Sequence, residues 1–529
     1  MSELLYDIAV IGGGASGMIA ALSAVRTAPG LKIAVLERMN RVGKKLMATG
    51  NGRCNITNMN ASEKNYHGSV GFMRPAMSKY PPEKVLDFFE TLGVHCREED
   101  EGRVYPMSDQ ASSVLDALRL SMEEAGIEEI CDFEVSALTR ARDGYRLTAK
   151  DNRQIIAKRV VCAAGGLASP SLGGSASGYH LLESCGHELS PRFPALVQLK
   201  ANPDLTRPLK GIKYSGDIDL LVNGQIRRTE TGEILFTEYG LSGIAVMQIS
   251  RIAAQAFSQK RPPAVEARLH LLPMNAQEAF DLLIARRRLL GRRSLENFLT
   301  GLINKRLGQM LIKWNTGLNL TEPSELLTDD HLATLASALT GWTIEITGTQ
   351  GFDQAQVTAG GIKTEDLDPH TMESLLADGL YVTGEVLDID GDCGGYNLQW
   401  AWASGLTAGE ACARSLTGSA AGPTLPEKPF RQNRPEAART AAPGFRTRSE
   451  NAVSKPRASH NDPRREQDAR PEAARHEKPG DSFRDRPARK PFPSDETGRR
   501  TNGSRKPNDK NPAAHKPTRP SKGMKKTHD

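Results

Sequence analysis

The sequence predicts an α/β protein: a Rossmann-like dinucleotide domain, split by a long insertion and followed by a basic tail that does not fold. Three observations lead there. The chain opens on a strand, a glycine-rich turn and a helix; apolar strands ending in small residues recur near residues 160 and 380; and the last 111 residues hardly carry an apolar side chain. At 529 residues the chain also exceeds what one core holds, since domains usually run to about 100 to 200 residues.

From Ser419 to Asp529 there are seven Leu, Ile, Val, Phe, Met, Trp or Tyr residues against 16 of the 31 prolines. Such a stretch cannot bury enough surface to offset its ordering entropy, roughly 1 to 2 kcal/mol per residue, and is expected to be disordered. It holds 27 Lys+Arg and 14 Asp+Glu, so subtraction from 69 and 63 leaves 42 and 49 for the first 418 residues. The tail is therefore basic and the body acidic, and the overall charge of +6 describes neither. A pI of 8.8 is accordingly no sign that the folded body binds nucleic acid. The seven cysteines form no CxxC and no Cys/His cluster, which argues against a disulfide framework or a zinc site. MSELLYDIAV lacks the basic start of a signal peptide, and four glycines interrupt the first apolar run, Ile8 to Val25. The expectation is a cytoplasmic protein with no membrane partner and no bound metal.

Asp7 to Ile11 is a β-rich run suited to a strand buried on both faces. It enters Gly12-Gly13-Gly14-Ala15-Ser16-Gly17 and then a helical stretch, Met18 to Val25. Read as GxGxxG, Gly12 allows the tight turn, Gly14 admits a pyrophosphate, and Gly17 lets helix and strand pack closely. The N–H groups that open the helix then face the phosphates, aided by the helix dipole. A second strand, Lys32 to Leu36, ends on Glu37, 20 residues after Gly17. A carboxylate there accepts hydrogen bonds from both ribose hydroxyls and disfavours a 2′-phosphate, which points to FAD or NAD rather than NADP.

Arg41-Val42-Gly43-Lys44-Lys45 and Thr49-Gly50-Asn51-Gly52-Arg53-Cys54-Asn55-Ile56-Thr57-Asn58 separate the two dinucleotides. They are dense in glycine, amide and basic groups. A surface linker has no need of three asparagines and an arginine among glycines, whereas a ligand continuing past its pyrophosphate towards an isoalloxazine ring does. FAD is the expected cofactor.

VIGGGASG, RVGKK and TGNGRCNITN resemble the BaiN-like, aminoacetone-oxidase-like (YhiN-type) family of FAD-dependent flavoproteins. The resemblance continues through Val160 to Gly166, Gly232 to Thr237, Val357 to Ile362, Gly384 to Asp388 and Gly394 to Asn397, covering nearly all of residues 5 to 415 in order. It implies a glutathione-reductase-like FAD domain. It also implies that Ala164 and Gly165 lie against the cofactor, that the Val135 backbone meets the adenine, and that Gly384-Glu385 to Asp388 return the chain to it. From spacing alone, Val160 to Gly166 reads equally well as a strand-to-loop turn. Glu385 or Asp388 would stand near the ribityl chain, and a helix beginning near Asn397-Leu398 would stabilise the reduced ring. The candidate cofactor residues are thus Gly12, Gly14, Ala15, Ser16, Gly17, Glu37, Arg38, Lys44, Lys45, Gly50, Asn51, Gly52, Arg53, Cys54, Asn55, Thr57, Asn58, Val135, Ala164, Gly165, Gly384, Glu385, Asp388, Asn397 and Leu398. The catalytic residue is not assignable. Cys54 and Cys393 could touch the flavin or simply pack as small thiols, and His180 or His187 could serve as a base.

The expected boundaries are 1–193 and 346–418 for the two parts of the FAD domain, 194–270 for an inserted β domain, 271–345 for a helical cap, and 419–529 for the tail. Leu196 to about Ile249 alternates short β-rich runs with turns such as Val222-Asn223-Gly224. About Ala276 to Leu339 is rich in Leu, Ala and Arg at helical spacing, and its arginines read as a solvated face. Leu241-Ser242-Gly243-Ile244 has Ile where the family usually has Pro. No second GxGxxG unit follows, so a nicotinamide donor, NADH or NADPH, would dock transiently. The expected function is FAD-dependent oxidoreduction of a small molecule, either amine oxidation or reduction of an activated double bond. An alternative is an RNA-associated flavoprotein recruited through its tail, which suits loose contact with RNA or another polyanion but could equally be a solubilising extension.

Overall fold

The structure, a computed structural model, describes residues 4–418; the expected tail lies outside these residues. Its central sheet begins with β1 (Leu4–Ile11), flanked in parallel by β2 (Ile33–Leu36) and by a long strand that reappears only after residue 150. Ile8 to Val10 and Ile33 to Leu36 are almost wholly buried, as a continuous β-branched run requires of a strand covered on both faces. Outward from β2 lies β3 (Glu128–Ile130). On the other side come β4 (Val135–Ala141), β5 (Gly144–Ala149) and β6 (Gln154–Cys162), where β6 is the strand beside β1.

The discontinuity of the domain is written in the pairing of β6. Its first residues, Gln154 to Ala157, pair antiparallel with β5, whereas Val160 to Cys162 pair parallel with a strand from beyond the insertion, Leu380–Val382. The chain leaves and re-enters through a neck in which Phe193–Ala195 pairs antiparallel with Val357–Ala359.

The insertion is built on a closed six-stranded barrel: β7 (Leu199–Ala201), β8 (Lys213–Val222), β9 (Gln225–Phe236), β10 (Gly240–Ser242), β11 (Val265–Leu269) and β12 (Trp342–Thr349). Strand β12 pairs with both β7 and β11 and so closes the barrel, which leaves no open edge. The expected boundary at residue 345 falls inside this strand, because barrel closure needs a partner that helical periodicity in the preceding segment conceals. Four helices of more than ten residues accompany the strands. One follows β10; the others are Ala276–Leu290, Lys305–Thr316 and Asp329–Gly341. Leu283, Leu311 and Leu335 from the latter three share one core with Leu269 and Ile344 of the barrel, so the expected β domain and helical cap form one packed body. Ile244 opens the helix Ile244–Phe257, directly after Gly243 at φ +106°.

Two helices define the cofactor side of the first body: α1 (Ala15–Thr27), which follows β1, and the 22-residue helix Tyr396–Thr417. They cross closely because the later helix offers glycine at the contact. A Cβ on Gly409 would stand 2.1 Å from the Ala20 carbonyl oxygen, and one on Gly405 would stand 2.5 Å from that of Ser16. Gly409→Ala gains about 1 kcal/mol of helix propensity but forces the two backbones apart. Overpacking of this kind costs about 1 to 3 kcal/mol or more. The variant should melt at a lower temperature than wild type in a thermal unfolding scan, and an unchanged or higher midpoint would contradict this packing.

Candidate functional site

A cleft opens where β1 gives way to α1. Gly12 has φ +103° and a Cβ there would lie 2.4 Å from the Ala163 carbonyl oxygen, so only glycine makes this turn. Gly17 abuts the Gly12 carbonyl, with 2.0 Å to a built Cβ, and therefore packs helix on strand rather than touching a ligand. Gly14, by contrast, has nothing within 4 Å of that position. No side chain caps the first turn of α1, whose N–H groups and positive dipole end are left to meet an anion. Ala15 and Ser16 belong to that turn, and Ser16 Oγ would stand 2.4 Å from a Cβ on Gly384.

Glu37 is nine-tenths buried at the end of β2. Its Oε2 accepts the Gly13 N–H at 2.9 Å and its Oε1 the Met39 N–H at 2.8 Å. Burial pushes its carboxyl above the ordinary range, against the lowering effect of those N–H donors. This is a preorganised acceptor rather than a solvated strand-end acid. Phe133, Glu134 and Val135 wall the cleft beyond it, and the Phe133 N–H donates to the Glu37 carbonyl at 2.8 Å. Arg38 reaches across to the carbonyls of Gly173 and Gly174 at 3.3 and 3.1 Å, pinning that loop over the opening.

On the opposite side Ala163 to Gly166 line the cleft, with Lys44 and Lys45 at its rim. Lys45 Nζ lies 2.6 Å from Glu385 Oε2, while Glu385 Oε1 accepts the Thr358 N–H at 2.9 Å. Glu385 thus stands in the cleft, directly after Gly384, whose carbonyl accepts from Trp400 Nε1 at 3.3 Å. That bond brings the start of the helix Tyr396–Thr417 beside the Glu385 end. The helix is preceded by Gly395 at φ +99° and has no side-chain cap. Cys393 to Leu398 form a partly open stretch between buried neighbours.

The segment 49–58 approaches the same turn, and here the structure divides residues that the sequence grouped together. Gly50, Asn51, Gly52 and Cys54 all have positive φ, giving a strained left-handed loop of the kind found at ligand clamps. Asn55 is buried with its Oδ1 unpaired, 2.9 Å from where a Cβ of Gly395 would sit. Arg53 is corrected as a cofactor contact: its guanidinium is taken by Glu99 at 2.6 Å and Asp109 at 2.6 and 2.9 Å, and stacks on Tyr105. The side chains of Thr57, Asn58 and Asn397 are likewise committed within the protein. Thr57 donates to Gln399 Oε1 at 2.6 Å, Asn58 to the Gly394 carbonyl at 2.8 Å, and Asn397 to the Gly391 carbonyl at 2.7 Å. They shape the turn, leaving its backbone as the surface presented. Asp388 faces a different space, a cavity of about 540 Å³ beside the neck, with Arg251 and Phe193. Burial raises its carboxyl above the ordinary range, opposed by the Ser190 hydroxyl.

Burial pushes the Cys54 thiol up to about 12 and raises that of Cys393, which suits packing rather than nucleophilic chemistry. His187 is buried away from the cleft against Ser374, and His180 is exposed. Sequence reasoning missed Gly173, Gly174 and Ser177, which line the cleft together with Arg41 of the Arg41–Lys45 segment. The Gly173-Gly174 pair just ahead of a helix was the available signal. Among the described residues, no helix is long and apolar enough to cross a membrane and no group of three or more His, Cys, Asp or Glu could hold a metal.

An open glycine turn at a helix start, a buried ribose acceptor, and a second uncapped helix beside an unpaired buried amide oxygen together fit a long dinucleotide ending in a polar ring. The protein is an FAD-dependent oxidoreductase with a split Rossmann-like cofactor domain. It belongs to the family described as HI0933-like protein Rossmann domain, whose model matches residues 6–411. It is 39% identical over 408 residues to a 3-dehydro-bile acid delta(4,6)-reductase of Clostridium scindens, which covers 77% of this chain and 98% of the relative. It is also similar to ribosomal RNA dihydrouridine synthases of Escherichia coli (31% identity, 78% of this chain and 98% of the relative) and Haemophilus influenzae (27%, 79% and 100%).

Glu37→Arg removes the buried acceptor and places a cation there. Hydrogen bonds to charged groups contribute about 1.5 to 3 kcal/mol each, so FAD affinity should fall about tenfold or more in a flavin-fluorescence titration. Added FAD should raise the thermal midpoint of wild type and do so less for the variant. A colourless wild type that gains no stability from FAD would defeat the assignment.

Proposed function

We propose that this chain reduces a carbon–carbon double bond conjugated to a carbonyl group in a ring. The observation that carries it is the match along 98% of the length of two relatives whose named reactions share that one step. A 3-dehydro delta(4,6) bile acid is a conjugated dienone, and dihydrouridine is uridine with its carbonyl-conjugated ring double bond reduced.

When bound, FAD supplies the hydride from its reduced ring. The chain's own residues hold and orient it. The open first turn of α1 receives the pyrophosphate, Glu37 the adenosine ribose, and Lys45 with Glu385 the ribityl portion. The uncapped N–H groups that open the helix at Tyr396 would favour negative charge at the ring edge, which supports the reduced state. With one dinucleotide motif in the sequence, NADH or NADPH serves as a transient donor.

A second reading concerns what carries the ring. Residues 419–529 hold 27 Lys+Arg against 14 Asp+Glu, in a chain similar to two enzymes named for ribosomal RNA. This favours a uracil ring presented by RNA, held by salt-sensitive contacts.

Anaerobic titration tests the reaction class. NADH or NADPH should bleach the flavin absorbance, and a 3-oxo-4,6-diene steroid or a uridine-containing RNA should restore it. Bleaching by small amines with no reoxidation by either acceptor would replace this reading with amine oxidation. For the RNA reading, deleting residues 419–529 should weaken RNA binding and flatten its dependence on salt. Binding that survives the deletion, or that ignores salt, would end it.

A further inference from the structure

The insertion touches the cofactor domain in an uneven way, concentrating polar contacts on three residues just ahead of the Gly394-Gly395 turn. Arg251, on the insertion helix Ile244–Phe257, holds Asp390 through two hydrogen bonds of 2.7 and 3.0 Å. Arg228 of β9 holds Asp392 through two more, of 3.1 and 2.9 Å. Gln248 Oε1 accepts the Cys393 N–H at 2.7 Å. His67, from the cofactor domain, lies 3.0 Å from Asp392 on the other side. Asp390 is 1% exposed and Asp392 9%.

Joining two bodies does not call for this. The neck ladder already tethers them, and buried ion pairs contribute little to stability over apolar packing of the same volume. What bidentate arginine–carboxylate pairs supply is direction, because both hydrogen bonds form at one orientation only. The electrostatics agree with well-made geometry. Burial alone would push the Asp392 carboxyl up, yet hydrogen bonds from His67 and Arg228 together hold it below the ordinary range.

We infer that Arg228 and Arg251 are positioning residues that fix residues 390–393 from the insertion, and through them the turn and the first N–H groups of the helix Tyr396–Thr417. The cofactor end of the cleft then depends on where the insertion sits, so that displacement of the insertion is felt at the flavin. This rests on the FAD reading of the cleft.

The test uses the FAD-loaded full chain. Arg228→Gln and Asp392→Asn are compared with wild type, with the exchanged pair Arg228→Asp plus Asp392→Arg, and with the neighbouring exposed Arg227→Gln as control. The measurements are the FAD dissociation constant, the visible flavin spectrum and the flavin reduction potential. Each single variant should raise the dissociation constant about tenfold and shift the spectrum and potential. The exchanged pair should recover part of the loss, and Arg227→Gln should match wild type. If the aspartate variant does not fold, Gln248→Leu, which removes only the acceptor for the Cys393 N–H, should shift the spectrum in the same direction by less. Variants that melt earlier while all three flavin measurements stay at wild-type values would overturn the inference and leave a plain tether. A wild type that holds no FAD would instead refute the cleft reading itself, and the inference with it.

Discussion

The structure turns on one place where backbone must come within contact of backbone. At Gly12 the chain leaves β1, passes against the Ala163 carbonyl at the end of β6, and starts α1 with its N–H groups open to the cleft. Those donors need a partner, and a helix start without a capping side chain is stabilised by an anion from outside. Everything around the cleft serves that demand. Glu37 is held by the Gly13 and Met39 N–H groups, and Arg38 pins the Gly173-Gly174 loop over the opening. The later helix presses against α1 closely enough to bring Gly384 and Glu385 to the other side.

The insertion adds a second set of contacts. Its barrel and helices share one core and so form one packed body, which meets the cofactor domain through a two-stranded neck and a set of arginine–aspartate pairs. These pairs satisfy carboxylates that burial would otherwise leave costly. They also place the polar contacts of the insertion on the segment that leads into the second uncapped helix. Sheet, neck and turn therefore form one connected path from the barrel to the cofactor cleft.

Much of this was legible residue by residue. The roles of Gly12, Gly14 and Gly17 follow from their spacing, because each requirement of the turn excludes a side chain for a local reason. Glu37 was legible because a strand of known length ends there. The loop 49–58 was legible only as a composition. That its backbone would be left-handed could be expected from its glycines, but that Arg53 would turn to Glu99 and Asp109 could not, since those partners arrive from 46 and 56 residues away. The same holds for Asp388, which follows Glu385 by three residues yet faces another cavity.

By itself, the sequence determined the cofactor class, the strand–turn–helix at the head of the domain, and the interruption of the domain, because these depend on local backbone freedom and on short-range periodicity. Only the tertiary structure decided that the barrel closes through a strand lying beyond the helical segment, that Arg38 and Arg41 line the cleft while Arg53, Asn58 and Asn397 serve the protein, and that Arg228 and Arg251 pair with Asp392 and Asp390. The physical reason is the same in each case: these outcomes are set by which distant groups meet, and pairing between segments dozens to more than a hundred residues apart leaves no periodic trace in the chain.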